Sequence, residues 1–448
     1  MTTQLTIERP ELVSPFSETF RAFEEGDGGF APATVQSMRE AAFEHLRHLG
    51  FPTTKNEDWH YTSVAPILEH DYLHVTTRSG DVRRQALAPF TFGHPEWHLL
   101  VFVNGRYAPD LSNADQLPNG VQVLDLRRAW EESPELVDQL GQITSYDERA
   151  FTALNMAFMN DGGVVHVDAN VEVEVPIHLL FVADAVAAKS MMHPRNLLVL
   201  GRNAKATIIE SYVSLSDAVY FTNAVTEVAL ADGATLHHYK IQREGMRAYH
   251  VGTVETHQAR DTHYISFSFA TGGSLTRTNI YTTLDGAGCG TTVNGLYMLD
   301  GEQHGDHQTM IVHAQPNCFS RELYKGVLDG QSHGVFNGKV YVEPIAQKTD
   351  GKQTNNTLLL SDKAQIDAKP QLEIFADDVK CTHGATVGRL DEQALFYMKS
   401  RGVGRELARR LLTYAFAADV LETIEQVSVR EDLERMTLKR FTKVESDA

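Results

Sequence analysis

Cysteine is scarce in this sequence: three residues, Cys289, Cys318 and Cys381, occur among 448. No two of them form a Cys-x-x-Cys pair, so the chain alone cannot supply four thiolates to a zinc or iron–sulfur site. An odd and sparse set also does not make a disulfide framework. Thiols that stay reduced are typical of the cytosol, and we therefore expect a cytoplasmic protein.

Long apolar runs and basic blocks are missing as well. No stretch is apolar enough for long enough to cross a bilayer, and the first residues, MTTQLTIERPEL, lack the basic and apolar parts of a secretory signal. The net charge of −19 repels the phosphate backbone of nucleic acids. We expect neither a membrane nor a nucleic-acid partner. The 42% hydrophobic and 22% charged content is that of a folded chain.

The order of helical and β patterns predicts three regions. The stretch PATVQSMREAAFEHLRHLG has apolar residues at helical spacing, and EWHLLVFVNGRY begins a β pattern. We predict a mostly helical region over 1–95, a β core over 96–388 and a second helical region over 389–448. Within the core, YDERAFTALNMAFMN is predicted to be a helix. The next stretch, VVHVDANVEVEVPIHLLFV, is expected to place alternate residues from Val165 to Val175 on one face.

Repeated turns characterise the β core. Short apolar runs are separated by LADGA, LDGAG, LDGEQ, LDGQS and LSDKA, often at intervals of roughly 25–32 residues, which is typical of repeat architectures. Coils that stack in this way bury one face against their neighbours and form a continuous core. The pattern predicts a mainly β fold with a β-helix, and an irregular β-sandwich is the alternative.

The sequence pattern from about residue 389 onward, the tail, again predicts helices. Asp391 is placed to cap EQALFYMKSR, which should end at Gly402. In GRELARRLLTYAFAADVLETI, an apolar stripe is formed by Leu407, Leu411, Tyr414, Ala415 and Ala418. A last helix is predicted at REDLERMTLKRF. These helices are expected either to cover the end of the β-helix or to offer the stripe to a partner.

Motifs of the common enzyme classes are incomplete. GQSHG, centred on Ser332, matches the nucleophile elbow of serine hydrolases, but the strand-like VFNGKVYV follows where that motif needs a helix. No Gly-rich segment opens a helix as a phosphate-binding loop does. We therefore expect no enzymatic activity from this chain, and any ATP has to be hydrolysed by a partner.

Two groups of side chains are candidate metal ligands. The denser one, in QHGDHQTMIVH, comprises His304, Asp306, His307 and His313. The spacing of these residues does not show that their side chains converge on one metal ion. The alternative is that the imidazoles are packed between coils and have no metal to bind. If the side chains did converge, the chain would be a stand-alone metal-dependent enzyme on a β-helix.

The second group is Cys381 and His383 in DDVKCTHGATVG. At positions i and i+2 of a strand, both side chains point to one face, and Lys380 and Thr382 point to the other. Two donors hold a metal weakly, so another chain or coil would have to complete the site. The structural alternative is that Cys381 packs as a small apolar residue and His383 bonds a carbonyl.

The segment 347–402, with KTDGKQTNNTLLLSDKAQIDAKPQLEIFADDVKCTHGATVGRLDEQALFYMKSRG, resembles the signature of the SufB/SufD family of iron–sulfur cluster assembly proteins. Upstream, NEDWHYT resembles the N-terminal signature of the SufD branch, and CTHGAT has the form of that branch. The resemblance runs from about residue 50 to about residue 425. It implies a right-handed parallel β-helix flanked by N-terminal and C-terminal helical regions.

The resemblance also implies partners. A non-catalytic scaffold of this kind joins a SufB-like subunit and two copies of the ABC-type ATPase SufC, which would dock on the helical tail. His383 would lie at the SufB-facing interface where the nascent cluster forms, with Cys381 beside it. No cofactor is expected to bind tightly to the isolated chain, and iron or an iron–sulfur cluster would be held only transiently in the complex. The face that meets the SufB-like subunit would also let the isolated chain form a homodimer. For Cys289 and Cys318 the family implies no role, and we expect buried structural thiols.

Overall fold

The computed structural model describes residues 13–75, 82–114 and 116–440. The helices in these residues are α1 (Ser14–Glu25), α2 (Ala33–Leu49), α3 (Ala65–Leu68), α4 (Arg84–Leu87), α5 (Leu126–Glu132), α6 (Pro134–Val137), α7 (Ala150–Phe158), α8 (Glu392–Ser400), α9 (Arg405–Leu421) and α10 (Val427–Arg440).

The strands before residue 220 are β1 (Leu73–His74), β2 (His98–Val103), β3 (Arg106–Tyr107), β4 (Val121–Asp125), β5 (Gly163–Val167), β6 (Ile177–Ala183), β7 (Ser190–Met192), β8 (Arg195–Leu200) and β9 (Lys205–Ser214). Those that follow are β10 (Phe221–Leu230), β11 (Thr235–Arg243), β12 (Tyr249–Gln258), β13 (His263–Thr271), β14 (Leu275–Leu284), β15 (Gly290–Leu299), β16 (His304–His313), β17 (Phe319–Leu328), β18 (His333–Val342), β19 (Asp350–Leu359), β20 (Gln365–Ile374) and β21 (Lys380–Arg389).

From β8 onward, successive strands alternate between two parallel sheets. One sheet runs β20-β18-β16-β14-β12-β10-β8, and the other runs β21-β19-β17-β15-β13-β11-β9. Each strand thus pairs with the strand two places along the chain: Tyr249 pairs with Leu275, 26 positions later, and His333 pairs with Gln365, 32 positions later. The prediction of a mainly β fold with a parallel β-helix is confirmed, including its repeat length.

One residue with a positive φ precedes most strands of the second sheet. These residues are Asn203, Gly233, Asp261, Gly288, Asn317 and Lys348. Glycine enters the left-handed region without a steric penalty, and asparagine and aspartate tolerate it better than other residues. The polar and glycine turns seen in the sequence are therefore the corners of successive coils.

The expected alternation from Val165 to Val175 is wrong beyond β5. That strand ends at Val167, Asn170 adopts a φ of +62°, and β6 begins only at Ile177. The valines between them lie in a connection between two strands of different sheets. A run of alternating valines does not by itself show where the chain turns a corner.

The N-terminal helices pack on the outer face of the first sheet. Phe23, Leu46 and Phe158 share one apolar cluster with strand residues that include Leu197 and Phe221. The prediction of a helix at YDERAFTALNMAFMN is confirmed by α7, all of whose residues are buried.

The C-terminal helices begin and end as the sequence indicates. The Asp391 side chain accepts a hydrogen bond from the backbone N–H of Gln393 at 2.8 Å, which caps α8. Gly402 follows with a φ of +85°. Helix α10 covers the predicted last helix.

These helices lie along the outside of the second sheet and do not cover its end. Ala417, Val420 and Leu421 of α9 share an apolar cluster with Phe267 and Leu296 of the sheet. The expectation of an end cap is therefore wrong.

The predicted stripe is also not the face that packs. Leu407 and Leu411 remain 47% and 39% exposed, whereas the small residues Ala408 and Ala417 are buried. Small side chains let the helix approach the sheet closely, and the larger apolar residues are left facing outward.

Candidate functional site

The last coil of the solenoid is open. Strand β21 pairs with β19 along one edge, and β20 pairs with β18 along one edge. Within the part of the chain that the structure describes, neither strand has a neighbour on its other edge. Nearly every residue of β21 is exposed. Both sheets therefore end in free backbone donors and acceptors, a surface suited to strand pairing.

Cys381 and His383 lie on this last strand, on the side that faces the coil interior. Cys381 is in register with Gly351 and His383 with Gln353, and both of these partners are buried. Lys352, between them, is exposed. The register thus places Cys381 and His383 on one face and Thr382 on the other, as a strand requires. Their role in iron or cluster chemistry stays a prediction.

Cys381 is the half-buried member of the pair. It packs against a small apolar cluster with Val340 and Val342. A Cβ atom on Gly351 would lie 3.3 Å from the Cys381 sulfur, so the glycine leaves room for the thiol. Burial raises the pKa of Cys381, and the backbone hydrogen bond to Gly351 only partly opposes this. The side chain is therefore a protonated thiol near neutral pH, and an incoming metal ion would have to displace its proton.

His383 is exposed, and polar residues line the coils beneath it. Its register partner Gln353 donates from Nε2 to Glu322 Oε2 at 2.8 Å, and Thr309 Oγ1 donates to Glu322 Oε1 at 2.6 Å. Burial raises the pKa of Glu322 to about 7. The sequence analysis missed Gln353 and Glu322, although they lie 30 and 61 positions before His383. The repeat length is the signal that would have found them.

Large apolar side chains of the same last coil are exposed to solvent. Phe375 is 56% exposed, Val387 54% and Ile374 37%. Large apolar groups in water next to unpaired strand edges are typical of a surface that another protein covers.

The four predicted ligands His304, Asp306, His307 and His313 do not converge. Asp306 accepts hydrogen bonds from Thr62 Oγ1 at 2.6 Å and from Arg277 at 2.5 Å, on the outer face of the sheet. His307 stacks on Tyr297 inside the coil, with ring centroids 4.4 Å apart. Over residues 13–75, 82–114 and 116–440, no group of three or more His, Cys, Asp or Glu side chains is placed to hold a metal ion. The geometry gives no support to a stand-alone metal enzyme.

The NEDWHYT segment anchors the N-terminal region to the solenoid. The guanidinium of Arg277 lies 3.7 Å from the ring centroid of Trp59, and Arg277 donates to the backbone oxygen of Asp58 at 2.7 Å. Glu57 pairs with Lys369 of β20 at 2.5 Å. The motif that resembles a family signature therefore has a structural role, and it reaches the last coil.

The remaining sequence candidates are buried in turns. Ser332 donates to the backbone oxygen of Asp329 at 2.7 Å and precedes a strand, so it is a turn residue and not a nucleophile elbow. Cys289 and Cys318 are 0% and 1% exposed, as expected for buried thiols.

The protein is of the parallel β-solenoid class, with a thiol and an imidazole on its open last strand, and sequence comparison identifies the family. The model of the SUF system FeS cluster assembly SufBD core domain matches residues 181–416, and that of the SufBD protein N-terminal region matches residues 16–179. The chain belongs to the SufBD family of iron–sulfur cluster assembly proteins.

Relatives agree with this assignment. The chain is 34% identical over 398 residues to the iron–sulfur cluster assembly protein SufD of Escherichia coli, covering 88% of this chain and 90% of the relative. It is 34% identical over 413 residues to a SufBD family protein of Synechocystis, with 90% of each covered. SufD of Bacillus subtilis is 28% identical over 444 residues, covering 96% of this chain and 97% of the relative. Across the described ranges, no helix combines the length and apolar character needed to span a membrane.

Proposed function

We propose that this chain is a non-catalytic scaffold subunit of a SUF iron–sulfur cluster assembly complex in the cytoplasm. It pairs through its open coil with a SufB-like subunit, and it binds the ATPase SufC through its C-terminal helices. The observation that carries the proposal is the open end of the solenoid, where two side chains able to ligate a metal lie on a strand with one unpaired edge.

The open end suits a partner with the same fold. Strands β20 and β21 expose ten residues each along their free edges, so a second solenoid can continue both sheets by backbone hydrogen bonds. Phe375, Val387 and Ile374 would be covered at the same time. A second copy of this chain has the same surface, and homodimerisation is the competing outcome for the isolated protein.

The donors on this surface are half of a site. A sulfur and an imidazole can both ligate iron, and two further ligands from the partner would give a common coordination number. Iron or a nascent cluster is the cargo of such a site, held only while the two subunits are paired. This arrangement explains why the described part of the chain holds no complete ligand set of its own.

Replacing His383 by alanine tests the functional assignment. We expect the His383→Ala complex to assemble normally but to lose most of its cluster formation, because an exposed ligand is removed without a change in packing. The assay is the iron and sulfide content of the purified complex and its visible absorption. Thr382→Ala, on the other face of the same strand, is the matched control. Wild-type cluster content in His383→Ala would overturn the role of His383.

Pairing is tested separately with Val387→Asp. This change puts a charge on the surface that the partner should cover, so the variant is expected to fold normally but not to pair with the SufB-like subunit. Thr382→Asp puts the same charge on the opposite face of β21 and should pair. Size-exclusion chromatography with light scattering reports both results. Retention of pairing by Val387→Asp would place the interface elsewhere.

The tail supplies the proposed SufC site. Large apolar side chains of α8 and α9 face water, namely Phe396, Tyr397, Leu407 and Leu411, with exposed fractions from 39% to 74%. We expect the double variant Phe396→Asp/Leu411→Asp to lose SufC binding in a pull-down, and Glu406→Ala to keep it. Point changes are preferable to truncation, because removing α9 would expose the apolar face of the second sheet. Unchanged binding by the double variant would contradict the tail assignment.

A further inference from the structure

Two cysteines without an assigned role stand at the same corner of consecutive coils. Cys289 directly precedes β15, and Cys318 directly precedes β17. The next residues, Gly290 and Phe319, are in register, and the N–H of Phe319 donates to the Cys289 backbone oxygen at 3.0 Å. Neighbouring strands lie about 4.8 Å apart. The two Cα atoms are thus within the range of about 4.4–6.8 Å that a disulfide requires.

The two sulfurs also lie close together. Both are within hydrogen-bond distance of the Gly286 backbone oxygen, Cys289 Sγ at 2.9 Å and Cys318 Sγ at 3.3 Å. Each thiol is also the largest influence on the pKa of the other. Both thiols are free and belong to one apolar cluster inside the coil. The backbone register and the side-chain contacts therefore both place the two sulfurs next to each other.

The contacts make the two thiols chemically unequal. A hydrogen bond from Cys318 lowers the pKa of Cys289, and the same bond raises the pKa of Cys318. Thr262 Oγ1 lies 3.4 Å from the Cys289 sulfur and donates to the Ala259 backbone oxygen at 2.8 Å. Cys289 is also the thiol nearer a surface groove, because its sulfur contacts the backbone oxygens of Ala259 and Gly286, which line that groove. It is therefore the thiol that a small oxidant reaches first, and its thiolate is the reactive form.

Only a thin layer separates this pair from solvent. Cys289 Sγ contacts the backbone oxygens of Ala259 and Gly286, each at 2.9 Å. Both of these residues line an open surface groove, together with Arg260 and Asp285. The turn 286–288 above the thiols is Gly-Ala-Gly, without a bulky side chain. A small oxidant in this groove therefore meets the two residues whose backbone oxygens contact the Cys289 sulfur.

We propose that Cys289 and Cys318 form a peroxide-reactive thiol pair that closes into an intramolecular disulfide between consecutive coils. The Cys289 thiolate attacks hydrogen peroxide, the O–O bond breaks, and the products are Cys289 sulfenic acid and hydroxide. The Cys318 sulfur then attacks the sulfenic sulfur, an S–S bond forms, and water leaves. The peroxide is reduced and both thiols are oxidised. This site is independent of the proposed scaffold function, since it lies away from the open coil.

The test uses the full chain with Cys381→Ser, so that the pair supplies all remaining thiols. After peroxide treatment, unfolding and alkylation, we expect free thiols to fall from two to none. The intact mass should fall by two hydrogen atoms, with no covalent dimer, and a dithiol reductant should restore both thiols. Two alkylated thiols after a dose that oxidises a small free thiol would overturn the proposal. So would sulfinic acid formed without a disulfide.

The order of reaction is tested with single-thiol chains. In Cys318→Ser/Cys381→Ser, the sulfenic acid at Cys289 cannot be resolved, and dimedone added as the chain is unfolded should trap it. In Cys289→Ser/Cys381→Ser, the trapped yield should be at least tenfold lower. Circular dichroism checks that both variants fold, and alanine in place of serine serves if either does not. Equal trapping in the two chains would contradict the assignment of Cys289 as the attacking thiol.

Discussion

Replacing Glu227 by alanine is expected to lower the free energy of unfolding by about 3–5 kcal/mol, because it leaves a buried arginine without its partner. Glu227 and Arg195 are both fully buried, and Arg195 donates to Glu227 Oε1 at 3.0 and 2.5 Å. The same carboxylate accepts from the backbone N–H groups of Gly141, Ile143 and Thr144. It therefore fastens the connection after α6 to the first sheet.

Urea unfolding measures this effect, with Glu172→Gln as the control. Glu172 pairs with Lys205 at 3.5 Å, and both side chains are more than half exposed, so about 0–1 kcal/mol should be lost. The double variant Arg195→Met/Glu227→Met should recover part of the loss, since no unpaired charge stays buried. If Glu227→Ala loses no more than the control, the buried pair does not contribute as described.

Raising the pH from about 5 to about 8 is expected to destabilise the wild type by about 2–3 kcal/mol more than Glu322→Gln. Burial raises the pKa of Glu322 from 4.5 to about 7. Between these two values the folded chain holds this proton and the unfolded chain releases it. The contribution to stability is therefore full below about pH 4.5 and is lost as the pH rises through about 7.

Glutamine suits this site because it stays neutral. Its oxygen can accept from Gln353, and its amide can donate to the Thr309 hydroxyl, which is able to reverse its role. Chemical denaturation at several pH values gives the comparison, and Glu302→Gln, in an exposed turn, is the control. Parallel pH profiles of the wild type and Glu322→Gln would show that Glu322 is ionised throughout.

The solenoid was predictable because its evidence is local and repeated. Six corners before strands of the second sheet contain a residue with a positive φ, and at five of them this residue is glycine, asparagine or aspartate. The relation between Cys381 and His383 followed from strand geometry alone, since alternate side chains share a face.

The features that the sequence did not predict depend on which surfaces of the molecule pack against each other. The inner face of the coils is not uniformly apolar: Glu210 is buried there and bonded to His238 at 2.8 Å. A polar residue in a strand therefore does not have to face outward. The partner of His304 and Asp306 is Thr62, which lies more than 240 positions away in the sequence, and no local pattern indicates this contact. The choice between an end cap and an exposed stripe on α9 was left open for a related reason. Burying Ala408 rather than Leu407 is a matter of helix–sheet distance, which no single-helix pattern encodes.

The unpaired edges of β20 and β21 have a consequence for local stability. In a stack where each coil contacts only its neighbours, an inner coil is held from two sides and the terminal coil from one. The terminal coil therefore has the smallest free energy of local opening, and its amides exchange first. We therefore expect the backbone amides of the strand that carries Cys381 and His383 to exchange before those of the inner coils. Under the proposed function, stacking of a partner on this strand would fix the geometry of the two side chains, and metal binding would then depend on assembly.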